Sequence, residues 1–120
     1  MMTPTIVTLA DGAQIALGSG GSNRIRSAIL QVLVNILDYD MGLEAAVTAP
    51  RLHLEGDHLS LEAGFSEAAI QCLQDAWPGA EKWPETNLFF GGVHAVERLA
   101  NGEFRAAGDP RRGGAIALAK

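Results

Sequence analysis

The sequence predicts an α+β fold in which helices pack on a largely antiparallel sheet. Three pairs of β-rich runs surround turn sequences, Asp-Gly at 11–12, Glu-Gly-Asp at 55–57 and Asn-Gly at 101–102, and such pairs are typical of β-hairpins. Three further segments repeat apolar residues at helical spacing. Because the 120 residues contain no internal repeat and no domain-sized linker, residues 1–120 are expected to form one domain.

The hairpins account for most of the predicted sheet. The first pairs runs at 5–9 and 14–17, and the second lies within "RLHLEGDHLSLE", where apolar and polar residues alternate around the turn. The third pairs "NLFFGGVHAVERL" with "GEFRAAG", and the tail "DPRRGGAIALAK" is expected to be loop and short strand. Hairpin strands run antiparallel, so the sheet is expected to do so too.

The predicted helices have recognisable ends. The first runs from Arg24 to about Tyr39, with Ser22 or Asn23 as the N-cap and Gly42 as the stop. A short second helix covers 43–50 and is ended by proline. The third follows a serine cap at position 66 and stops before the Pro-Gly pair at 78–79.

Composition excludes several classes of protein. The formal net charge of −5 and the pI near 5.0 argue against a nucleic-acid partner, which requires clustered Lys and Arg. The longest apolar run, 28–37, is too short to span a bilayer, so no membrane span is expected. The chain as given has no secretory signal, which leaves its compartment open. Cys72 is the single cysteine and is expected to be a packed thiol.

The stretch "LGSGGSNRIRSAILQVL", residues 17–33, places glycines and serines between a strand and a helix. The first turn of a helix leaves backbone N–H groups without partners, and the helix dipole adds positive potential there. The loop is therefore a candidate site for a phosphate, a carboxylate or the oxyanion of acyl transfer. A tight turn that needs positive φ explains the same glycines without any ligand.

Two phosphate-binding motifs fit this loop poorly. The dinucleotide motif G-x-G-x-x-G matches Gly18 and Gly20 but then meets Asn23, and the flanking strands predict a hairpin rather than a βαβ unit. A P-loop requires a lysine at the start of the helix, and none is present here. A small anion-binding domain nevertheless remains one of the possible functions.

Four motifs, in order along the chain, carry a family resemblance: "MTPTIV", "LGSGGSNRI", "APRLH" and "DPRR". Together they resemble the C-terminal part of the small subunit of γ-glutamyltransferases, also called γ-glutamyltranspeptidases, which include the glutathione hydrolases and related acylases. The resemblance runs over almost the entire chain. It implies a partial Ntn-hydrolase fold, in which two β-sheets are sandwiched by helices, and an acyl-transfer chemistry that needs no cofactor and no metal.

The resemblance also assigns roles to the loop. In this family a threonine hydroxyl attacks the γ-glutamyl amide, its own α-amino group acts as base, and two backbone N–H groups hold the oxyanion. Those donors fall on Gly21 and Ser22, and Gly20 falls at the substrate-binding position beside them. The family loop has proline at position 20 and glycine at position 22, so a shift of the donor pair to Gly20 and Gly21 stays open.

The resemblance places the nucleophilic threonine and the substrate-gripping residues upstream of "MTPTIV". Met1 stands where the family has a serine, and neither Thr3 nor Thr5 sits at a free N-terminus. The chain is therefore expected to be a piece of a γ-glutamyltransferase-like protein that is inactive alone. The complete protein would act on small γ-glutamyl substrates, and family members are often periplasmic or secreted. The alternative is a noncatalytic fragment that associates with the missing upstream or large subunit, or with itself.

The histidines suggest weaker alternatives. His53 and His58, together with Glu55 and Asp57, could gather around a divalent metal, but exposed hairpin side chains are the favoured interpretation. His94 lies in an alternating run and is expected to be a hydrogen-bonded strand histidine.

The arginines suggest structural roles first. Arg111 and Arg112 with Asp109 could bind a carboxylate, but a structural turn tied by a salt bridge is favoured. Arg24 opens the long helix, where positive charge opposes the helix dipole, so it is expected to pair with a carboxylate elsewhere.

Overall fold

The structure, a computed structural model, describes residues 2–119. Met1, at the position where the family has a serine, lies outside the described residues. The strands are β1 (Thr5–Thr8), β2 (Gln14–Gly20), β3 (Leu52–Glu55), β4 (His58–Leu61), β5 (Glu81–Lys82), β6 (Gly92–Arg98) and β7 (Phe104–Ala107). The helices are α1 (Arg24–Leu37), α2 (Leu43–Thr48) and α3 (Glu67–Ala76), and two short 3-10 helices cover Leu88–Phe90 and Pro110–Arg112.

The strands form two sheets. The larger sheet has the order β1-β2-β6-β7 and is antiparallel throughout. The smaller sheet has the order β3-β4-β5, with β5 parallel to β4. The predicted α+β class and the three hairpins are confirmed. The larger sheet also contains a long-range pairing, in which Gly20 at the end of β2 lies opposite Gly92 at the start of β6.

The core lies between the larger sheet and helices α1 and α2. Alternate residues of β2 face this core, and the apolar positions of α1 recur at spacings of three and four, so both elements bury one face. The fully buried apolar side chains include Ile15, Ile25, Val32, Val47 and Val93.

Gly91 lets the start of α1 approach the sheet closely. It has φ of +85°, and a Cβ added there would lie 3.0 Å from both Ala28 Cβ and Ser19 Oγ. A glycine is required at this position on both counts, because a side chain would be strained and would also push α1 away. This approach holds the first two turns of α1 beside the end of β2 and the start of β6.

The opposite face of the larger sheet carries exposed apolar side chains. Ile6, Ala16, Val96 and Ala106 are successive cross-strand neighbours, and side chains directly opposite one another share a face. Ile6 is 72% and Val96 44% exposed, and the neighbouring Phe104 is 55% exposed. One layer of a layered sandwich is thus present, with an apolar face left uncovered.

Several predicted boundaries were wrong. Helix α1 ends at Leu37 rather than Tyr39, and Asn23 is its N-cap residue by position but makes no side-chain cap bond. Residues 88–90 form a 3-10 helix instead of extending the following strand. The described tail beyond the second 3-10 helix, residues 113–119, has no strand. Strand β5 was not predicted, because two exposed residues carry no alternation signal.

Cys72 was also predicted wrongly, since it is exposed. Only Ile70 of helix α3 is fully buried. Fewer of the apolar residues in this helix therefore pack against a neighbour than the helical spacing predicted. The predicted Ser66 cap is confirmed, because Ser66 Oγ accepts a hydrogen bond from the N–H of Ala69 at 3.2 Å. No helix within the described residues is long and apolar enough to cross a membrane.

Candidate functional site

The glycine loop connects β2 to α1 through residues in unusual backbone conformations. Gly21 has φ of +131° and Ser22 has φ of +56°, in the left-handed region that disfavours a residue with a Cβ. Tight turns follow, because the N–H groups of Arg24 and Ile25 donate back to the carbonyl oxygens of Gly21 and Ser22, at 3.2 Å and 3.1 Å. The loop carbonyls are thereby used inside the turn.

The N–H groups of Gly21 and Ser22, unlike these carbonyl oxygens, are not used in hydrogen bonds inside the turn. Within residues 2–119 no backbone or side-chain atom accepts a hydrogen bond from either of them. Consecutive donors with no internal partner can bind an anion. The structure therefore leaves available the two donors that the sequence resemblance assigned to the oxyanion.

Ser19, near the end of β2, holds the start of the loop through two hydrogen bonds of its side chain. Its side chain is buried, donates to the carbonyl oxygen of Gly20 at 2.9 Å and accepts from the N–H of Gly92 at 3.2 Å. Gly20 itself is the last residue of β2 and is paired with Gly92. The position assigned to substrate binding is thus held from both its own strand and the neighbouring strand.

Arg112 lies against the opposite side of the same glycines. A Cβ added to Gly20 would lie 3.4 Å from Arg112 Cζ, and one added to Gly21 would lie 3.8 Å from Arg112 Nη2. The aliphatic part of the side chain lies on Gly92, where an added Cβ would be only 2.4 Å from Arg112 Cδ. Of the two arginines considered at the sequence level, Arg112 is therefore the one beside the loop.

A polar chain links the loop to the second hairpin. Asn23 Nδ2 donates to Glu55 Oε1 at 2.8 Å, and Glu55 Oε2 lies 3.5 Å from His53 Nε2. His53 Nδ1 lies 2.6 Å from Ser27 Oγ on α1. The hydrogen bond from Asn23, followed by the nearby His53 ring, holds the pKa of the exposed Glu55 carboxyl below its usual value. Asn23 therefore anchors the loop rather than capping the helix.

The expectation that His53 is exposed was wrong, since it is buried. His58 is exposed and contacts Glu81 at 3.1 Å, so the two histidines do not converge. No group of three or more His, Cys, Asp or Glu residues in the described part of the chain could hold a metal. His94 behaves as predicted, since its Nδ1 accepts a hydrogen bond from the N–H of Asp109 at 3.3 Å.

Arg24 does not pair with a carboxylate, contrary to expectation. Its Nε donates to the carbonyl oxygen of Phe89 at 3.2 Å, and its guanidinium lies 4.7 Å from the centre of the Phe89 ring. Trp83 also stacks on Phe89, with the ring centres 4.7 Å apart. A carbonyl and a π face thus stabilise the cation that the helix dipole disfavours.

Four buried charged residues form a network behind the site: Arg51, Glu62, Asp109 and Arg111. Arg111 binds Glu62 through both side-chain forks, with Nε–Oε1 at 2.8 Å and Nη2–Oε2 at 2.6 Å. Arg51 Nη2 donates to Asp109 Oδ2 at 2.7 Å. The remaining Arg111–Asp109 contact, Nη1 to Oδ1 at 3.2 Å, agrees with the predicted salt-bridged turn.

Nearly every polar side-chain atom of this network has a hydrogen-bond partner. Asp109 accepts from the N–H groups of Val93 and Arg111, while both guanidiniums donate to the carbonyl oxygen of Val47. Burial raises the pKa of the Asp109 carboxyl, but the charge of Arg51 and these N–H donors outweigh it and lower that pKa overall.

Sequence reasoning missed Arg51 and Glu62, although a signal was present. Leu52 pairs with Leu61 across the β3–β4 hairpin. The charged residues just outside this pair must then lie side by side, and the N–H of Arg51 does donate to Glu62 Oε2 at 3.0 Å. Opposite charges flanking a predicted hairpin therefore indicated the contact.

An open, mainly apolar pocket of about 530 Å³ lies beside the loop on the exposed face of the larger sheet. It is lined by Met2–Pro4, Leu17–Gly20 and His94. Gly20 therefore lines this pocket together with the first three residues of the "MTPTIV" segment.

The fold and the loop define a class of protein, and comparison identifies it. Residues 1–119 match the family model described as gamma-glutamyltranspeptidase, so the chain belongs to that family. Its fold is the layered Ntn-hydrolase fold of these proteins, present in part.

Particular relatives match most of the chain. It is 32% identical over 114 residues to the glutathione hydrolase proenzyme of Escherichia coli K12, covering 92% of this chain and 19% of that protein. It is 44% identical over 113 residues to the corresponding proenzyme of Pseudomonas aeruginosa, covering 92% and 20%. The chain therefore spans about a fifth of the length of these curated relatives.

A solved structure also resembles this chain over its full length. The Bacillus anthracis transpeptidase CapD superposes with a TM-score of 0.81 at 27% identity, covering all of this chain and 72% of that one. The similarity thus extends over both sheets and the tail.

Proposed function

We propose that this chain forms the oxyanion-binding part of a γ-glutamyltransferase or γ-glutamyl hydrolase. It would act with a threonine nucleophile supplied by a segment outside this chain. The single observation that supports the role most directly is the pair of adjacent N–H groups, Gly21 and Ser22, that have no acceptor within the described residues. Family membership supplies the reaction class.

In the proposed reaction the threonine Oγ gives its proton to the threonine's own α-amino group as it attacks the carbonyl carbon of a γ-glutamyl amide. The C=O π electrons move to the oxygen, and the N–H groups of Gly21 and Ser22 donate to the resulting oxyanion. Collapse re-forms the carbonyl and expels the amine, which takes up the proton held by the threonine α-amino group. Water or an acceptor amine then attacks the acyl-enzyme by the same route. Losing one such donor typically costs about 100- to 1,000-fold in rate.

The substrates of this chain are proposed by the same reasoning. The curated relatives are named glutathione hydrolases, so a small γ-glutamyl amide is the substrate class that we propose. Gly20 would form the wall of the pocket next to the scissile amide, since it is held in place by Ser19 and Gly92. The residues that select the acyl group would lie in the upstream segment.

The test is a chimera in which this chain replaces the matching segment of the Escherichia coli glutathione hydrolase proenzyme. Turnover of a chromogenic γ-glutamyl anilide measures function. Replacing the Gly21–Ser22 amide by an ester, through an α-hydroxy acid at position 22, removes one N–H and leaves the side chain in place. We expect kcat to fall about 100-fold.

The matched control is an ester at Leu43, the first residue of α2, whose N–H also has no acceptor within residues 2–119. This variant should retain the kcat of the unmodified chimera. Equal kcat values for the two esters would contradict the proposed role of the loop.

We also propose that the chain associates with another segment through its uncovered sheet face. The exposed Ile6, Val96 and Phe104 side chains support this, because contiguous exposed apolar surface favours association. Light scattering after size-exclusion chromatography should show the isolated chain self-associating, and Phe104→Glu should shift it towards monomer. A stable wild-type monomer would contradict self-association through this face.

A further inference from the structure

We propose that Arg112 is a further catalytic residue, whose guanidinium places positive charge beside the oxyanion bound by Gly21 and Ser22. This inference rests on the proposed function of the loop. It adds a side chain to a site that the family resemblance describes by backbone donors alone.

The first support is the position of the guanidinium. Its Cζ and Nη1 lie 3.4 Å from the Cβ position of Gly20, and its Nη2 lies 3.8 Å from that of Gly21. The charge is therefore packed against Gly21, which carries one of the two free donors, and against Gly20, which precedes it. Within several ångströms a unit charge interacts appreciably with an oxyanion even at the protein surface.

The second support is that Gly92 makes room for this side chain. Arg112 Cγ and Cδ lie 2.5 Å and 2.4 Å from the Cβ position of Gly92, so any other residue at position 92 would displace them. Gly18, on the same strand as Gly20, has open space at its Cβ position. A side chain is thus excluded at Gly92, on which the aliphatic part of Arg112 lies.

The third support is that the charge of Arg112 is not used elsewhere in the described structure. Arg51 and Arg111 each bind a buried carboxylate, and Arg24 binds the carbonyl oxygen of Phe89. Arg112 has neither a hydrogen-bond nor an ion-pair partner for its side chain among residues 2–119.

The fourth support is that the backbone at Arg112 is held in place by its neighbours. Its N–H donates to the carbonyl oxygen of Asp109 at 3.2 Å, and the preceding Arg111 is locked into the buried network. Gly113 then turns the chain away with φ of +60°. A guanidinium anchored in this way loses less freedom on meeting an anion than one on a mobile segment.

The experiment uses the chimera described above with three variants. Arg112→Gln removes the charge, Arg112→Lys keeps it, and Arg98→Gln removes an exposed positive charge from the far end of β6, roughly 20 Å along the strand. We expect Arg112→Gln to lower kcat about 10- to 100-fold with KM changed less than about threefold. The loss is smaller than for a backbone donor because solvent screens an exposed charge.

Arg112→Lys should recover part of kcat, and Arg98→Gln should match the parent chimera. Melting temperature and the extent of proenzyme cleavage report folding for each variant. The proposal is overturned if Arg112→Gln and Arg98→Gln have the same kcat, or if Arg112→Gln changes only KM or the melting temperature. An ester at position 22 that lowers kcat while Arg112→Gln does not would reject this inference and leave the proposed function standing.

Discussion

Arg111 and Glu62 form a two-fold hydrogen-bonded ion pair in the protein interior, with both N–O distances below 3 Å and both side chains almost fully buried. The pair joins the C-terminal 3-10 helix to the end of β4. Because Arg51 and Asp109 complete the group, its formal charges sum to zero. The tail is therefore held in the position from which Arg112 reaches the glycine loop.

Arg111→Met is expected to destabilise the chain strongly. The substitution leaves two buried carboxylates with one guanidinium between them, and removing one partner from a buried ion pair typically costs about 3–5 kcal/mol. Urea denaturation measures the free energy of unfolding. Arg105→Met, at an exposed position of β7, should change it by less than about 0.5 kcal/mol. Similar effects for the two variants would refute the structural role of the pair.

Asp109 makes the stability depend on pH in a defined direction. Its pKa in the folded chain lies below the ordinary value, so its contribution to stability is fully present above about pH 4 and is lost as the pH falls through the folded-state pKa. Free energies of unfolding measured from pH 7 to pH 2 should show the wild-type chain and Asp109→Asn converging below pH 4. A difference that stays constant over that range would show that ionisation of Asp109 does not contribute.

Gly114 is expected to tolerate no side chain. A Cβ there would lie 2.4 Å from the backbone nitrogen of Asp109 and 2.5 Å from the carbonyl carbon of Gly108, and backbone atoms cannot move aside cheaply. Gly114→Ala should therefore lower the free energy of unfolding by at least about 2 kcal/mol. Gly42→Ala is the control, because Gly42 has φ of −61° and open space at its Cβ. Comparable midpoints of thermal unfolding for both variants would contradict the close approach.

Ser22→Gly is expected to stabilise the loop without removing a donor. The φ of +56° at Ser22 costs a residue with a Cβ on the order of 1 kcal/mol, which glycine avoids. The free energy of unfolding should rise by about 0.5–1 kcal/mol, and kcat of the chimera should stay within about threefold of the parent. Ser22→Val should be less stable than the parent. A loss of kcat in Ser22→Gly would indicate that the hydroxyl, not the backbone N–H, matters.

Local chemistry explains what could be predicted about the fold and the site. The Asp-Gly and Asn-Gly turns and the apolar spacing of α1 specify hairpins and a helix from neighbouring residues alone. The loop was found because its motif is contiguous. His53 and Cys72 were misjudged because their exposure depends on which distant element covers them, and Arg51 and Glu62 were missed because each was considered without its cross-strand neighbour.

The sequence by itself determined the hairpins, the helices, the family resemblance and the identity of the loop residues, since all of these depend on residues close together in the chain. Only the tertiary structure decided that Gly92 lies beside Gly20, that Arg111 is buried with Glu62, and that Arg112 lies against the loop. These contacts join residues far apart in the chain. They form because the core packs closely against α1 and because a buried charge needs a partner of opposite charge. Neither requirement can be recognised from residues that are neighbours in the sequence.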